Sequence, residues 1–174
     1  MSKKPFQFKQ FTIQQDKTAM KVGTDGVLLG AWVSLESNPF SILDIGAGTG
    51  LIALMLAQKS NAELIDAVEL NNEAYEQTVA NFEESNWGDR LFCYHASLQE
   101  FTEEIEDSYD LIVSNPPFYT STYKNLKDDR AMARHTETLT YRDLLQGVSK
   151  LLSENGSCAF IIPYLEAANF TKIA

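Results

Sequence analysis

The stretch Ser41-Ile42-Leu43-Asp44-Ile45-Gly46-Ala47-Gly48-Thr49-Gly50-Leu51 decides how this chain folds. Ser41 to Ile45 reads as a short buried strand, and Leu51 to Gln58 as an apolar helix. Between them lies a glycine-rich turn, which lets the backbone approach a ligand closely at a helix N-terminus. Such a turn alone is weak evidence. It gains weight from Leu64 to Val68, a second strand ending in Glu69, nineteen residues after Gly50. An acid at the end of the second strand is placed to accept hydrogen bonds from ribose hydroxyls. The plainer reading, a solvated strand end, leaves that spacing unexplained.

The same alternation continues along the chain. A helix is expected from about Asn72 to Glu84, with Tyr75, Val79 and Phe82 on one face, followed by a strand from Leu91 to His95. Tyr109 to Val113 reads as a fourth strand. Thr140, with Asp143 three residues on, is a helix start, and Leu144, Leu145, Val148, Leu151 and Leu152 supply its buried face. Gly156 is expected to close that helix and Cys158 to Ile162 to form a fifth strand. Strands and helices in alternation imply an α/β fold with a mostly parallel sheet, right-handed crossovers and ligands beyond the strands' carboxyl ends. Upstream, residues 6–14 alternate loosely as a hairpin or edge segment. Thr24 and Asp25 are N-cap types just before an apolar run, with Gly23 allowing close approach of an anionic group. The chain divides into an N-terminal extension with that helix, residues 1–35, and a core, residues 36–174, within a single domain.

Composition agrees with one soluble domain. The 174 residues are 44% hydrophobic and 22% charged, and runs such as Leu51 to Ala57 are far too short to span a bilayer. No targeting segment is evident in Met1-Ser2-Lys3-Lys4-Pro5, so a cytoplasmic location without membrane contact is expected. Cys93 and Cys158 make no metal-ligand spacing and read as small buried hydrophobes. The net charge of −10 argues against a nucleic-acid partner until its distribution is considered. Residues 1–22 carry five lysines against Asp16, and residues 36–110 carry sixteen acids against Lys59 and Arg90. Residues 121–142 return to a basic excess, with Lys124, Lys127, Arg130, Arg134 and Arg142. Charges more than about 8 Å apart are largely screened at physiological salt, so local patches outweigh the total.

The fourth strand runs into Ser114-Asn115-Pro116-Pro117-Phe118. Asn115 precedes a proline and is biased toward an extended backbone, and neither proline has an N–H with which to pair onward. The product is a stiff corner at a strand's carboxyl end that presents a carboxamide and an aromatic ring. It suits a planar molecule carrying an amino group. An ordinary strand-ending turn is the bland alternative.

The spacing Asp44-x-Gly46-x-Gly48-x-Gly50 departs from the dinucleotide pattern and resembles the first motif of class I S-adenosylmethionine-dependent methyltransferases. The resemblance implies a Rossmann-like fold with helices on both faces of the sheet, and S-adenosylmethionine as cofactor with S-adenosylhomocysteine as product, without a metal. In that family the acid at Asp44 orients the methionine part, while Gly46, Gly48 and Gly50 face the nucleoside. An acid often binds the adenine where this chain has Ser97. The family's sheet normally ends in an antiparallel pair of strands. Only eleven residues follow Pro163, so these last strands are expected to be missing and the core C-terminally incomplete.

Asn115-Pro116-Pro117-Phe118 resembles the fourth motif of methyltransferases acting on amino nitrogens conjugated to planar systems. These four residues are therefore the expected catalytic group, with Asn115 also touching the cofactor and Phe118 stacking on the base. The block Gln15 to Asp25, followed by Leu28-Leu29-Gly30-Ala31-Trp32, resembles the narrower family of bacterial tRNA adenine-N6 methyltransferases that modify valine tRNA beside the anticodon. From it Val22, Gly23, Thr24 and Asp25 are carried over as cofactor contacts. Charge placement adds Lys124, Lys127, Arg130 and Arg134 as phosphate-holding residues for a tRNA partner. A monomer is expected, with no obligate protein partner. The same corner serves guanine-N2 rRNA and protein glutamine-N5 methyltransferases, and a non-catalytic RNA-binding module of this fold is the alternative outside enzymes.

Overall fold

The computed structural model describes residues 4–116 and 139–174. It opens with a two-stranded antiparallel hairpin, β1 (Phe6–Gln7) and β2 (Thr12–Ile13), and helix α1 (Thr24–Trp32). The alternating part follows: β3 (Ser41–Ile45), α2 (Leu51–Lys59), β4 (Leu64–Glu69), α3 (Asn72–Glu83), β5 (Leu91–His95), α4 (Leu98–Glu104) and β6 (Tyr109–Ser114). Then come α5 (Tyr141–Leu151), β7 (Leu152–Phe160), a short 3-10 turn at Tyr164–Glu166 and α6 (Ala167–Ile173).

The five strands β3 to β7 form one sheet in the order β5-β4-β3-β6-β7, every pair parallel. The strand order reverses direction between β3 and β6, and their carboxyl ends flank the crevice where such sheets bind ligands. β3 is buried along its whole length, as its near-continuous apolar run demands of a strand covered on both faces. Successive residues feed opposite layers. Ile42, Ile65, Leu111 and Val113 pack with α1 and α2, whereas Leu43, Ile45 and Ile112 pack with α4, α5 and α6. Complete burial of such side chains contributes about 1.5–3 kcal/mol each. On α1, Gly26 and Gly30 leave room for α2: a Cβ on Gly30 would lie 2.8 Å from Met55 Sδ. Lys59 Nζ of α2 then donates to the carbonyls of Gly30, Ala31 and Val33, closing an α1 C-terminus that has no basic residue of its own.

Four sequence expectations change. Gly23, not Thr24 or Asp25, is the N-cap of α1, which makes no side-chain capping bond. The inward stripe of α3 is Ala74, Gln77, Thr78, Asn81 and Phe82, rotated away from Tyr75 and Val79, because polar backbone rather than a greasy surface lies opposite. Gly156 lies inside β7, which begins directly after α5. The pairing shifts between Tyr109↔Leu152 and Leu111↔Ser157, and a Cβ on Gly156 would meet Tyr109 O at 2.9 Å. The glycine marks a strand irregularity of close backbone approach, not a helix end. Cys158 is exposed, since β7 is the sheet's outer strand among the described residues. The capping box of Thr140 and Asp143 at α5 forms as expected.

Candidate active site

The glycine turn is built by three residues of positive φ, Gly46 at 77°, Gly48 at 62° and Gly50 at 75°, a region in which side chains are strained. The turn is fastened on several sides. Gly46 N and Ala47 N donate to Val68 O, Gly50 N to Ala47 O, and Gly48 N to Glu69 Oε2 at 2.8 Å. The other Glu69 oxygen accepts from Asn71 N, also at 2.8 Å. Both oxygens keep a second lone pair for incoming hydroxyls. A Cβ on Gly46 or Gly48 would meet nothing within 4 Å, whereas one on Gly50 would strike Phe82 Cε1 at 2.6 Å. The first two glycines therefore border open space, and the third packs on α3.

Asp44 is fully buried beneath this turn. Its Oδ2 accepts from Ala53 N at 3.2 Å, in the first turn of α2, but its Oδ1 has no partner among the described residues. Burial pushes the carboxyl up to about 7; the Ala53 N–H works against that and the nearby Glu69 charge adds to it. The same surroundings hold the half-buried Cys93 thiol up at about 12, chiefly by desolvation. On the adjacent strand, Ser114 Oγ donates to Ile45 O at 2.7 Å, and the register Ile45↔Ser114 sends Gly46 and Asn115 out side by side. Asn115 Oδ1 is buried and, among the described residues, accepts no hydrogen bond. An orphaned buried acceptor costs about 1–3 kcal/mol and calls for an explanation. Pro116 is buried as well.

Two unpartnered buried oxygens, an open glycine cradle and a carboxylate at the end of β4 fit S-adenosylmethionine, which brings a cation, an amine and ribose hydroxyls. Ser97 stands at the carboxyl end of β5, but its hydroxyl accepts from Glu100 N and donates to Glu100 Oε2 in a capping box. Val22 N is held by Gln15 Oε1, and Gly23, Thr24 and Asp25 begin α1. His95 stacks on Tyr75 with ring centroids 5.1 Å apart and lies 3.1 Å from Leu70 O. Pro117, Phe118, Lys124, Lys127, Arg130 and Arg134 lie outside the described residues. Gln77, Thr78 and Asn81, which no motif marks, support the glycine turn and the N-terminal block through their side chains. Their signal was present as polar residues in a helical stripe between Ala74 and Phe82.

The family model of the methyltransferase small domain matches residues 27–162. A tRNA1(Val) (adenine(37)-N6)-methyltransferase of Christiangramia forsetii is 64% identical over 175 residues, covering 99% of this chain and 73% of that protein. One of the same name from Flavobacterium johnsoniae is 62% identical over 169 residues, covering 97% of this chain and 72% of that protein. Among solved structures, a putative S-adenosylmethionine-dependent methyltransferase from Streptococcus mutans superposes with a TM-score of 0.70 at 13% identity, over 99% of this chain and 46% of that one. At that identity the likeness speaks for the fold.

Proposed function

The chain belongs to the methyltransferase small domain family, among the tRNA1(Val) (adenine(37)-N6)-methyltransferases, and from that premise we propose that it methylates N6 of the adenine beside the anticodon of valine tRNA. When bound, S-adenosylmethionine supplies a methyl group on a sulfonium. The protein's contribution is to hold and aim. Asp44, Gly46, Gly48, Gly50 and Glu69 form the cofactor cradle, with Val22, Gly23, Thr24 and Asp25 as its second wall and Ser97 at its rim. Asn115 Oδ1 accepts one N–H of the adenine amine and Pro116 O the other, which turns the nitrogen's lone pair toward the methyl group. A conjugated amine is a poor nucleophile, so orientation and electrostatics matter more here than a strong base. Pro117 stiffens the corner and Phe118 stacks on the base, a contact worth roughly 1–3 kcal/mol. Lys124, Lys127, Arg130 and Arg134 contact phosphates of the anticodon arm. An anticodon-loop adenine is already unpaired, so turning it outward costs less than flipping it from a duplex.

The observation that carries this reading is the buried, unpartnered Oδ1 of Asn115 beside the glycine turn. Asn115→Ala removes an orphaned acceptor, so its melting temperature should stay level or rise. Methyl transfer should fall about 10²–10³-fold with S-adenosylmethionine affinity changed less than threefold, roughly the loss seen when one preorganised polar contact is removed. Full activity in this variant would sink the amine grip.

A further inference from the structure

The inward stripe of α3 ties two remote segments together through side chains. Asn81, 1% exposed, accepts from Gln14 N at Oδ1 (2.8 Å) and donates from Nδ2 to Gln14 O (2.9 Å) and Thr49 O (2.8 Å). One turn earlier, Gln77 Oε1 accepts from Lys17 N at 3.0 Å and Thr78 Oγ1 donates to Gly48 O at 3.0 Å. All three side chains are buried, so a lost bond would strand a side-chain polar group away from water, and loss of the Asn81–Thr49 bond would strand the Thr49 carbonyl as well. The block is itself stitched up to the start of α1. Gln15 Oε1 accepts from Val22 N at 2.9 Å, Thr18 Oγ1 donates to Met20 O at 2.6 Å, and Lys21 Nζ donates to Gln15 O and Thr18 O. The hydrogen bonds thus link Gly48 and Thr49 through α3 to Gln14, and the next residue, Gln15, to Val22. The exposed Lys17–Glu76 ion pair, 3.1 Å long, adds a weaker tie on the same side.

We propose that Asn81, with Thr78 and Gln77, positions the glycine turn and the 14–22 block in one register, so that a cofactor ordering the turn also orders the block. The coupling runs through a contiguous hydrogen-bonded network. The inference rests on reading the glycine turn as the cofactor site. Its consequence for function is that the two walls of the cofactor pocket, Gly46–Gly50 and Val22–Asp25, respond as one body.

The test uses the whole chain and S-adenosylhomocysteine as probe. Wild type, Thr78→Val, Asn81→Leu and a control, Val148→Ala in the opposite core layer, are compared by calorimetric titration and amide hydrogen exchange below each melting temperature. In the ligand-free protein, Asn81→Leu should quicken exchange in both 14–22 and 46–50. In wild type, the ligand should slow exchange in both segments. Thr78→Val, which keeps the side chain's shape, should weaken ligand binding about threefold to tenfold, and Asn81→Leu about tenfold or more, with protection of 14–22 lost at saturation. Val148→Ala should lower the melting temperature and leave binding and transmitted protection alone. Wild-type affinity with intact protection of 14–22 in Thr78→Val and Asn81→Leu would overturn the positioning role. Failure of wild type to bind the probe would instead remove the cofactor reading, while the ligand-free exchange arm still reports on the clamp.

Discussion

Asp44 combines complete burial, one satisfied oxygen and one free oxygen, and its carboxyl is pushed up to about 7 mainly by desolvation. Between the ordinary carboxyl value of 3.8 and about 7 the folded state binds this proton and the unfolded state does not. The stability contributed is full below about pH 4 and lost as pH rises through 7. A cationic ligand favours the ionised form, so apparent affinity for S-adenosylmethionine should climb as pH rises through about 7. Titrations between about pH 5.5 and 8.5 check this, and Asp44→Asn should flatten the profile; a flat wild-type profile would contradict it. Asp44 and Asn115 stand out in the sequence as candidates because each interrupts or ends an apolar strand. Gln77, Thr78 and Asn81 do not. On a helix whose exposed face is also polar, hydropathy does not separate a buried amide from a solvated one, and the deciding partners lie thirty or more residues away.

At the level of elements, the glycine turn separates stability from binding. Gly50→Ala places a Cβ 2.6 Å from Phe82 Cε1 and 3.0 Å from Thr78 Cγ2, at a φ of 75°. Left-handed strain and overpacking together should cost about 2–5 kcal/mol of stability, read in urea melts. Gly46→Ala carries the strain alone, about 1–2 kcal/mol, while its methyl enters the open cradle and should weaken cofactor binding far more than Gly50→Ala does per folded molecule. Equal effects on both readouts would contradict the assignment. Most strand bounds followed from periodicity, because central parallel strands are largely apolar, and α5 was marked by Thr140 and Asp143; α4, seven residues long, is too short to show a period and was not expected. The start of β7 did not, since α5 passes into it without a turn and its glycine sits in a pairing irregularity.

On the scale of the whole molecule, the sheet order brings the loop after β3 and the corner after β6 to one crevice, although 69 residues separate Ile45 from Ser114. Topology of this kind was readable from the alternation of strands and helices. The charge pattern was readable too: an acidic middle lies between a lysine-rich N-terminus and the basic 121–142 segment. That arrangement suits an RNA better than a protein substrate, because release of phosphate counterions rewards clustered cations whatever the total charge. It does not distinguish one RNA from another; the family does. Methyl transfer from labelled S-adenosylmethionine should therefore be measured in parallel on bulk tRNA, total ribosomal RNA and release factor, followed by nucleoside analysis. Label recovered as N6-methyladenosine in valine tRNA, and lost with Asn115→Ala, is the expected result. Label in ribosomal guanine or protein glutamine, or in none of the three, would contradict the central claim.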